Sequence, residues 1–353
     1  MDKLLYGRCW EILVTQPTVK DVNERTTDRA SVEDNPRNSY RLPSLSITEL
    51  DFTLKTSMDG RGSSSGAGNS VLVLSNLSEG SVAFVSKTNN FVRIRAGYGD
   101  IGDASIIFTG MVTKALTKND NGTRLTTLYL READTVVNAF RTSISVRSSG
   151  NTYESVFKAI IAAWNENGVV GGDDTIFLAN TEIQKKFPSE VPLRGGWSGD
   201  GFLRDLTDNL CKEWGYTWFI SKNILHMYPI KFNGFSRVFR FDLTGNLIKS
   251  IEPGQNQSTG ISSEKAVNTI NLVTFLDGSM ALGSLLDIPQ LKGASKTTTG
   301  EIYNGENAPT SKGTYTSEGS TDYSGTYVIR TIVYDLDTRS NKWDNIIVAD
   351  RKV

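Results

Sequence analysis

The sequence has very few of the residues from which catalytic and metal sites are usually built. In 353 residues it holds one histidine, His226, and two cysteines, Cys9 and Cys211. A single histidine rules out a histidine-rich metal site, and it serves a Ser-His-Asp arrangement only if the strand that carries it faces a cleft. The cysteines lie far apart, without a CxxC spacing or a Cys/His partner, so the expectation is two reduced thiols. Cys211 reads as a small apolar side chain beside a helical stripe. Charge of either sign is not in excess, the formal net charge being −1, which leaves no basic footprint for nucleic acid and no polybasic membrane patch. No run approaches the roughly 18 apolar residues of a membrane span. The first residues, MDKLLYGRCWEILV, lack the apolar core and cleavage pattern of a signal peptide, so a chain made soluble, without an export signal, is expected.

Glycine is abundant. With 32 glycines against 9 prolines, and 15 Phe, 12 Tyr and 6 Trp to fill cores, the composition fits a turn-rich β protein of two or three domains. Alternating apolar runs appear at 4–14, 45–57, 71–78, 81–86, 91–99, 105–118 and 123–133, and Asn121-Gly122 marks a tight turn between the last two. Evenly spaced short strands of this kind suggest a barrel or a sandwich. Two polar stretches interrupt them. Residues 15–44 read as a long excursion, and the Gly/Ser-rich 58–70 as a flexible loop.

The period changes at 151. Tyr153, Val156, Phe157, Ile160, Ile161 and Trp164 recur at helical spacing, with Asn151 or Thr152 as a cap. A second helix is expected over 198–215 on Phe202, Leu203, Leu206, Leu210 and Trp214, closed by Gly215. A hairpin, YTWFI and ILHMYP, turns around Ser221-Lys222-Asn223. Strand patterns then return at 236–242, 246–252, 265–276, 327–337 and 342–350, broken by a long polar insertion at 293–326. The expected fold class is β-rich α+β, with domains at 1–150, 151–235 and 236–353.

Each motif that suggests chemistry has a simpler reading. The glycine-rich 195-GGWSGDG-201 precedes a helix but lacks the Lys-Ser/Thr pair of a phosphate loop. Gly97-Tyr98-Gly99 is no dinucleotide fingerprint, and its glycines sit where a strand must turn. The acidic 118-KNDNGTR-124 lacks the full ligand series and the closing glutamate of a calcium loop, and reads as a hairpin. Asp173-Asp174 shows no pairing of the glycosidase kind, although a carboxylate pair can assemble from distant positions. Trp214 and Trp218 in WGYTWF offer either a carbohydrate platform or a core between helix and hairpin. No catalytic, cofactor-binding or metal-binding residue is assigned.

The order of these elements resembles the baseplate hub family of bacteriophage tails and related contractile injection systems. The resemblance rests on VLVLSNLS at 71–78, FVRIRAGYGD at 91–100, IIFTGMVT at 106–113, TLYLREAD at 127–134 leading to a helix, Trp214-Gly215-Tyr216, a hairpin ending in Tyr228-Pro229, and GTYVIRTIVYDLDTRSNKW at 325–343. It covers most of the chain and is weakest at 15–44 and 293–326. It implies two small Tudor-like β-barrels flanking the helix-containing region. It also implies a homotrimeric ring that adapts a hexameric tail tube to a trimeric central spike, in contact with other baseplate proteins and the tape measure protein. The expected location is the virion tail, assembled in the host cytoplasm. The role is structural, with no enzyme activity, cofactor, small-molecule substrate, sequence-specific nucleic acid or membrane insertion. The alternatives are a distal tail or tube-terminal ring of six copies, a cell-wall-degrading enzyme with a carboxylate pair or a site around His226, and a carbohydrate-binding module on Trp214 and Trp218.

Overall fold

A computed structural model describes residues 7–16, 44–59, 69–132, 140–166, 191–222, 224–229, 237–241, 248–253, 268–289 and 323–352. Most of the expected loops at 15–44, 58–70 and 293–326, and all of Asp173-Asp174, lie outside these residues.

Period-two patterning produces the strands. In β3 (Phe52–Asp59) Phe52, Leu54, Thr56 and Met58 are buried, with exposed residues between them, and β5 (Phe91–Tyr98) buries Val92, Ile94 and Ala96 in the same way. Such strands satisfy their backbone groups laterally and bury one face. With β1 (Arg8–Thr15), β2 (Ser44–Ile47), β4 (Asn69–Ser75), β6 (Ser105–Asp120) and β7 (Thr123–Arg131) they run in the order β4-β7-β6-β5-β1-β2, with β3 beside β4. The β6–β7 turn is as expected: Asn121 and Gly122 both have positive φ, 48° and 80°, matching the two left-handed positions of a type I′ hairpin.

The strands on the far side of the helical segment join this same sheet. They are β12 (Val238–Arg240), β13 (Ile248–Pro253), β14 (Thr269–Phe275), β15 (Leu285–Ile288), β16 (Gly325–Asp337) and β17 (Trp343–Arg351). They continue the sheet as β13-β14-β17-β16, and β16 pairs antiparallel with β3 from Thr331↔Asp59 to Asp337↔Thr53. Side chains lock the seam. Thr56 accepts from the Tyr334 N–H at 3.0 Å, Thr338 Oγ1 accepts from the Phe52 N–H at 2.9 Å, and Arg339 pairs with Asp51 at 2.9 Å. Trp10, Phe52 and Trp343 then pack in sequence, tilted and edge-on, with ring centroids 4.7 and 6.0 Å apart, so one aromatic cluster ties β1, β3 and β17 together.

The remaining elements pack around a second core. The ribbon of β8 (Arg141–Val146) and β9 (Trp197–Phe202), the helices α2 (Tyr153–Glu166) and α3 (Leu203–Trp214), and the hairpin of β10 (Tyr216–Ser221) and β11 (Ile224–Pro229) enclose Phe157, Ile160, Trp164, Leu210 and Trp218. Trp164 Nε1–H donates to Thr207 Oγ1 at 2.9 Å, and Thr207 in turn donates to the Leu203 carbonyl, which removes the cost of burying both polar groups.

Two local expectations need correction. Residues 81–86 are not a strand: all but Ser86 belong to α1 (Glu79–Val85), which forms because Ser78 Oγ accepts from the Ser81 N–H and Glu79 sits in the first turn. The helix expected over 198–215 begins only at Leu203. Residues 197–202 are extended and pair with β8, an arrangement that two glycines in six residues favour over a helix. β8 and β15 are strands that the sequence pattern did not suggest.

Gly110 is a point where the backbone needs the absence of a side chain. A Cβ there would sit 2.5 Å from the Phe108 ring and 2.7 Å from the Arg131 carbonyl oxygen. Gly110→Ala is expected to cost about 1–3 kcal/mol, since backbone cannot move aside as a flexible side-chain tip can. A denaturant melt that leaves the midpoint in place would disprove that close approach.

Candidate assembly surfaces

The residues singled out for chemistry are built into packing. His226 on β11 is half-buried and stacks on Phe219 with centroids 4.7 Å apart; desolvation, then the neighbouring Lys222 charge, lower its pKa to about 4. Cys211 is buried on α3 and burial pushes its thiol up to about 12, while Cys9 lies on β1; both are free thiols. Residues 197–202 of the glycine-rich stretch form β9. Gly97-Tyr98-Gly99 ends β5, where Gly99 takes a positive φ of 86°. Trp218 is 1% exposed and is no sugar platform, and Trp214 lies against Tyr153 at 4.5 Å.

The structure instead brings together a polar junction that the sequence did not reveal. Glu132, just past the end of β7, is fully buried. Its Oε1 accepts from the Lys222 N–H at 2.9 Å, Lys222 Nζ donates to the Gly278 carbonyl at 2.8 Å, and Ser221 Oγ–H donates to Met58 Sδ. Lys222 sits at the β10–β11 turn with a positive φ of 54°. This junction pins the helical unit to the sheet. Desolvation raises Glu132 to about 8, against the pull of the Lys222 backbone hydrogen bond and charge. Desolvation lowers Lys222 to about 8 even though Glu132 and Asp277 favour its charge. A glutamate and a lysine separated by 90 positions and in different strand patterns carry no shared signal in the sequence.

The outer face offers a second feature. Among the described residues, the large hydrophobic side chains that stand exposed are Val71, Ile101, Leu116, Tyr129, Val191 and Val238. Val71 and Tyr129 are direct cross-strand partners, and Leu116 lies one strand over, opposite Thr127. The sequence signal was a leucine at a position on β6 where neighbouring Lys114 and Lys118 mark the solvent face.

This arrangement, a long sheet with a helical unit pinned to it, is shared with several solved tail proteins. The chain aligns over 98% of its length with 97% of a tail protein from Neisseria meningitidis, at TM-score 0.51 and 9% identity. It aligns over 87% of its length with 95% of a 43 kDa tail protein of prophage MuSo2 from Shewanella oneidensis, at 0.52 and 10% identity. A third match, at 0.52 and 9% identity over 86% of this chain and 74% of that one, is an E. coli component of the type VI secretion system described as structurally similar to the T4 bacteriophage tail proteins gp27 and gp5. No protein-family model and no curated protein matches the sequence. The shared fold is that of phage tail and hub-like proteins, the group that the sequence motifs resemble.

Proposed function

We propose that this chain is a structural component of a phage tail baseplate, three copies of which form a ring that adapts a hexameric tail tube to a trimeric central spike. The observation that carries this reading is the near end-to-end correspondence of fold with a tail protein. The packing of Trp10, Phe52 and Trp343 and the pairing of β3 with β16 also favour it, since they hold the two β-rich parts rigidly, as a load-transmitting adaptor requires. In this reading the domains are 1–150, 151–235 and 236–353, and the outer two supply Tudor-like barrels that present six quasi-equivalent surfaces per trimer to the tube. Ring contacts of this sort are heterologous and close by rotation. The partners are the tube protein, the spike protein, other baseplate proteins and the tape measure protein. The ring resides in the virion tail after assembly in the host cytoplasm. The chain carries no catalytic, metal or cofactor role.

The mass of the protein in solution, alone and mixed with the tube and spike proteins of its tail, tests this. Three copies, alone or on meeting the spike, is the expected result. Six copies would identify a distal tail or tube-terminal ring, and a monomer indifferent to both proteins would overturn the assembly reading.

A further inference from the structure

Two patches on this chain have complementary chemistry and lie at opposite ends of one strand. The first is the outer face of β4, β7 and the distal half of β6. There Val71, Tyr129 and Leu116 are 37%, 38% and 47% exposed, beside exposed Lys55, Lys114 and Lys118. Lys55 is the cross-strand partner of Val71, Lys114 lies over the Tyr129 ring at 5.8 Å, and among the described residues Lys118 pairs with the exposed Asp120, at 3.8 Å. Among the described residues β5 pairs with β6 no further than Met111, so from Thr113 to Asp120 the edge of β6 away from β7 has no strand beside it. The second patch is the turn between β5 and β6, where Ile101 is 39% exposed between Asp100 and Asp103, neither of which has an ion-pair partner among the described residues. From Ser105 to Leu116 the strand advances eleven residues, roughly 36 Å at about 3.3 Å per residue, so the two patches cannot meet within one copy.

We infer that these patches are the two halves of a head-to-tail contact between copies of this chain: the Asp100-Ile101-Asp103 turn of one copy docks on the Lys114-Leu116-Lys118 edge and the Val71-Tyr129 face of the next. The inference rests on the ring reading above and assigns its interface. Charge selects the occupant. Pairing two β6 edges about a two-fold axis at Leu116 would set Lys114 of one copy against Lys118 of the other, and like charges opposite each other disfavour that arrangement. The acidic turn instead brings two carboxylates to the lysines and an isoleucine to the apolar face. Two different patches on each copy make a heterologous contact, the kind that closes into a ring.

The test mixes two variants, Ile101→Cys and Leu116→Cys, each made with Cys9→Ser, under mild oxidation at concentrations where the unaltered protein associates. A disulfide-linked dimer that forms only in the mixture is the expected result. A dimer from either variant alone would show a two-fold contact and overturn the assignment. Absence of any cross-link while copies still associate would overturn it and leave the ring reading standing. Absence of association even with tube and spike proteins present would overturn both. A charge exchange tests the same contact without cysteines. Lys114→Glu with Lys118→Glu should reduce association at least tenfold, and adding Asp100→Lys and Asp103→Lys to the same chain should restore it. Restoration failing in a variant that melts like the unaltered protein would count against the contact.

Discussion

Trp343→Ala should destabilise the protein by about 3–5 kcal/mol, the range for emptying a large aromatic site in a close-packed core. Trp343 is wholly buried at the start of β17. Its ring meets Phe52 edge-on, Phe52 packs on Trp10, and the Arg8 guanidinium lies 5.3 Å from the indole centroid. Its carbonyl accepts from the Leu276 N–H at 2.8 Å, so the residue also fixes the exit of β14. Removing the ring takes contacts from Arg8 of β1 and Phe52 of β3 at once, and the rigid sheet around it cannot collapse to fill the space. Trp343→Phe should cost less than about 1.5 kcal/mol. It keeps most of the ring volume, and the indole Nε1–H it removes has no hydrogen-bond partner among the described residues. Equilibrium unfolding in guanidinium chloride distinguishes the two. Equal losses for both variants would mean that the indole N–H, and not the ring, holds this corner.

The position of Trp343 also shows what the sequence could and could not reveal. KWDNIIVAD reads as a strand because apolar residues alternate along it, and β17 has that alternation. That its first residue packs on Phe52, almost three hundred positions earlier, is not in the pattern. Strand existence is a local property, but which edge meets which is decided by the whole chain. The joining of β3 to β16 is the main case. The run 45–57 and the run 327–337 are each legible as strands, yet nothing in either specifies the other. Where local chemistry competes, the pattern misleads: SVAFVS alternates like a strand, but a serine cap and a first-turn glutamate make it a helix. The assembly surface was partly legible. Lys114-Ala-Leu116-Thr-Lys118 places a leucine among solvent-facing lysines, but that Tyr129 and Val71 extend the patch depends on the register of β6, β7 and β4. The resemblance to tail hubs rested on the order of many weak motifs. The order of elements reflects the path of the chain through the fold, and the fold is shared with solved tail proteins at 9–10% identity.

The junction at Glu132 and Lys222 should make stability fall by about 2 kcal/mol between pH 6.5 and 8, a reversal of the usual gain from carboxylate ionisation at lower pH. In the folded chain Glu132 holds its proton up to about pH 8, whereas the unfolded chain releases it near the ordinary value of 4.5. Between those limits the folded state binds more protons, so stability is fully present below 4.5 and is lost as pH rises through 8. His226 has the opposite sign. Its folded pKa of about 4 lies below the ordinary 6.5, so its contribution is present above 6.5 and lost as pH falls through 4. The two oppose each other below pH 6.5 and only Glu132 acts above it. The 1.5 pH units that remain, at about 1.4 kcal/mol each, give the expected loss. Lys222, lowered from 10.5 to about 8, releases its proton above pH 8 in the folded state only, which turns the slope upward again. Asp277, Arg237 and Tyr334 also border this cluster. Glu132→Gln keeps a carbonyl oxygen for the Lys222 N–H and has no proton to lose, so its stability should not fall from pH 6.5 to 8; losing the carboxylate that favours the Lys222 charge should instead tilt the slope upward toward pH 8. Denaturant melts of both proteins across this range decide the matter. A parallel fall in the Glu132→Gln variant would place the titrating group elsewhere, and no fall in the unaltered protein would mean that Glu132 is ionised in its buried site, held by the Lys222 charge.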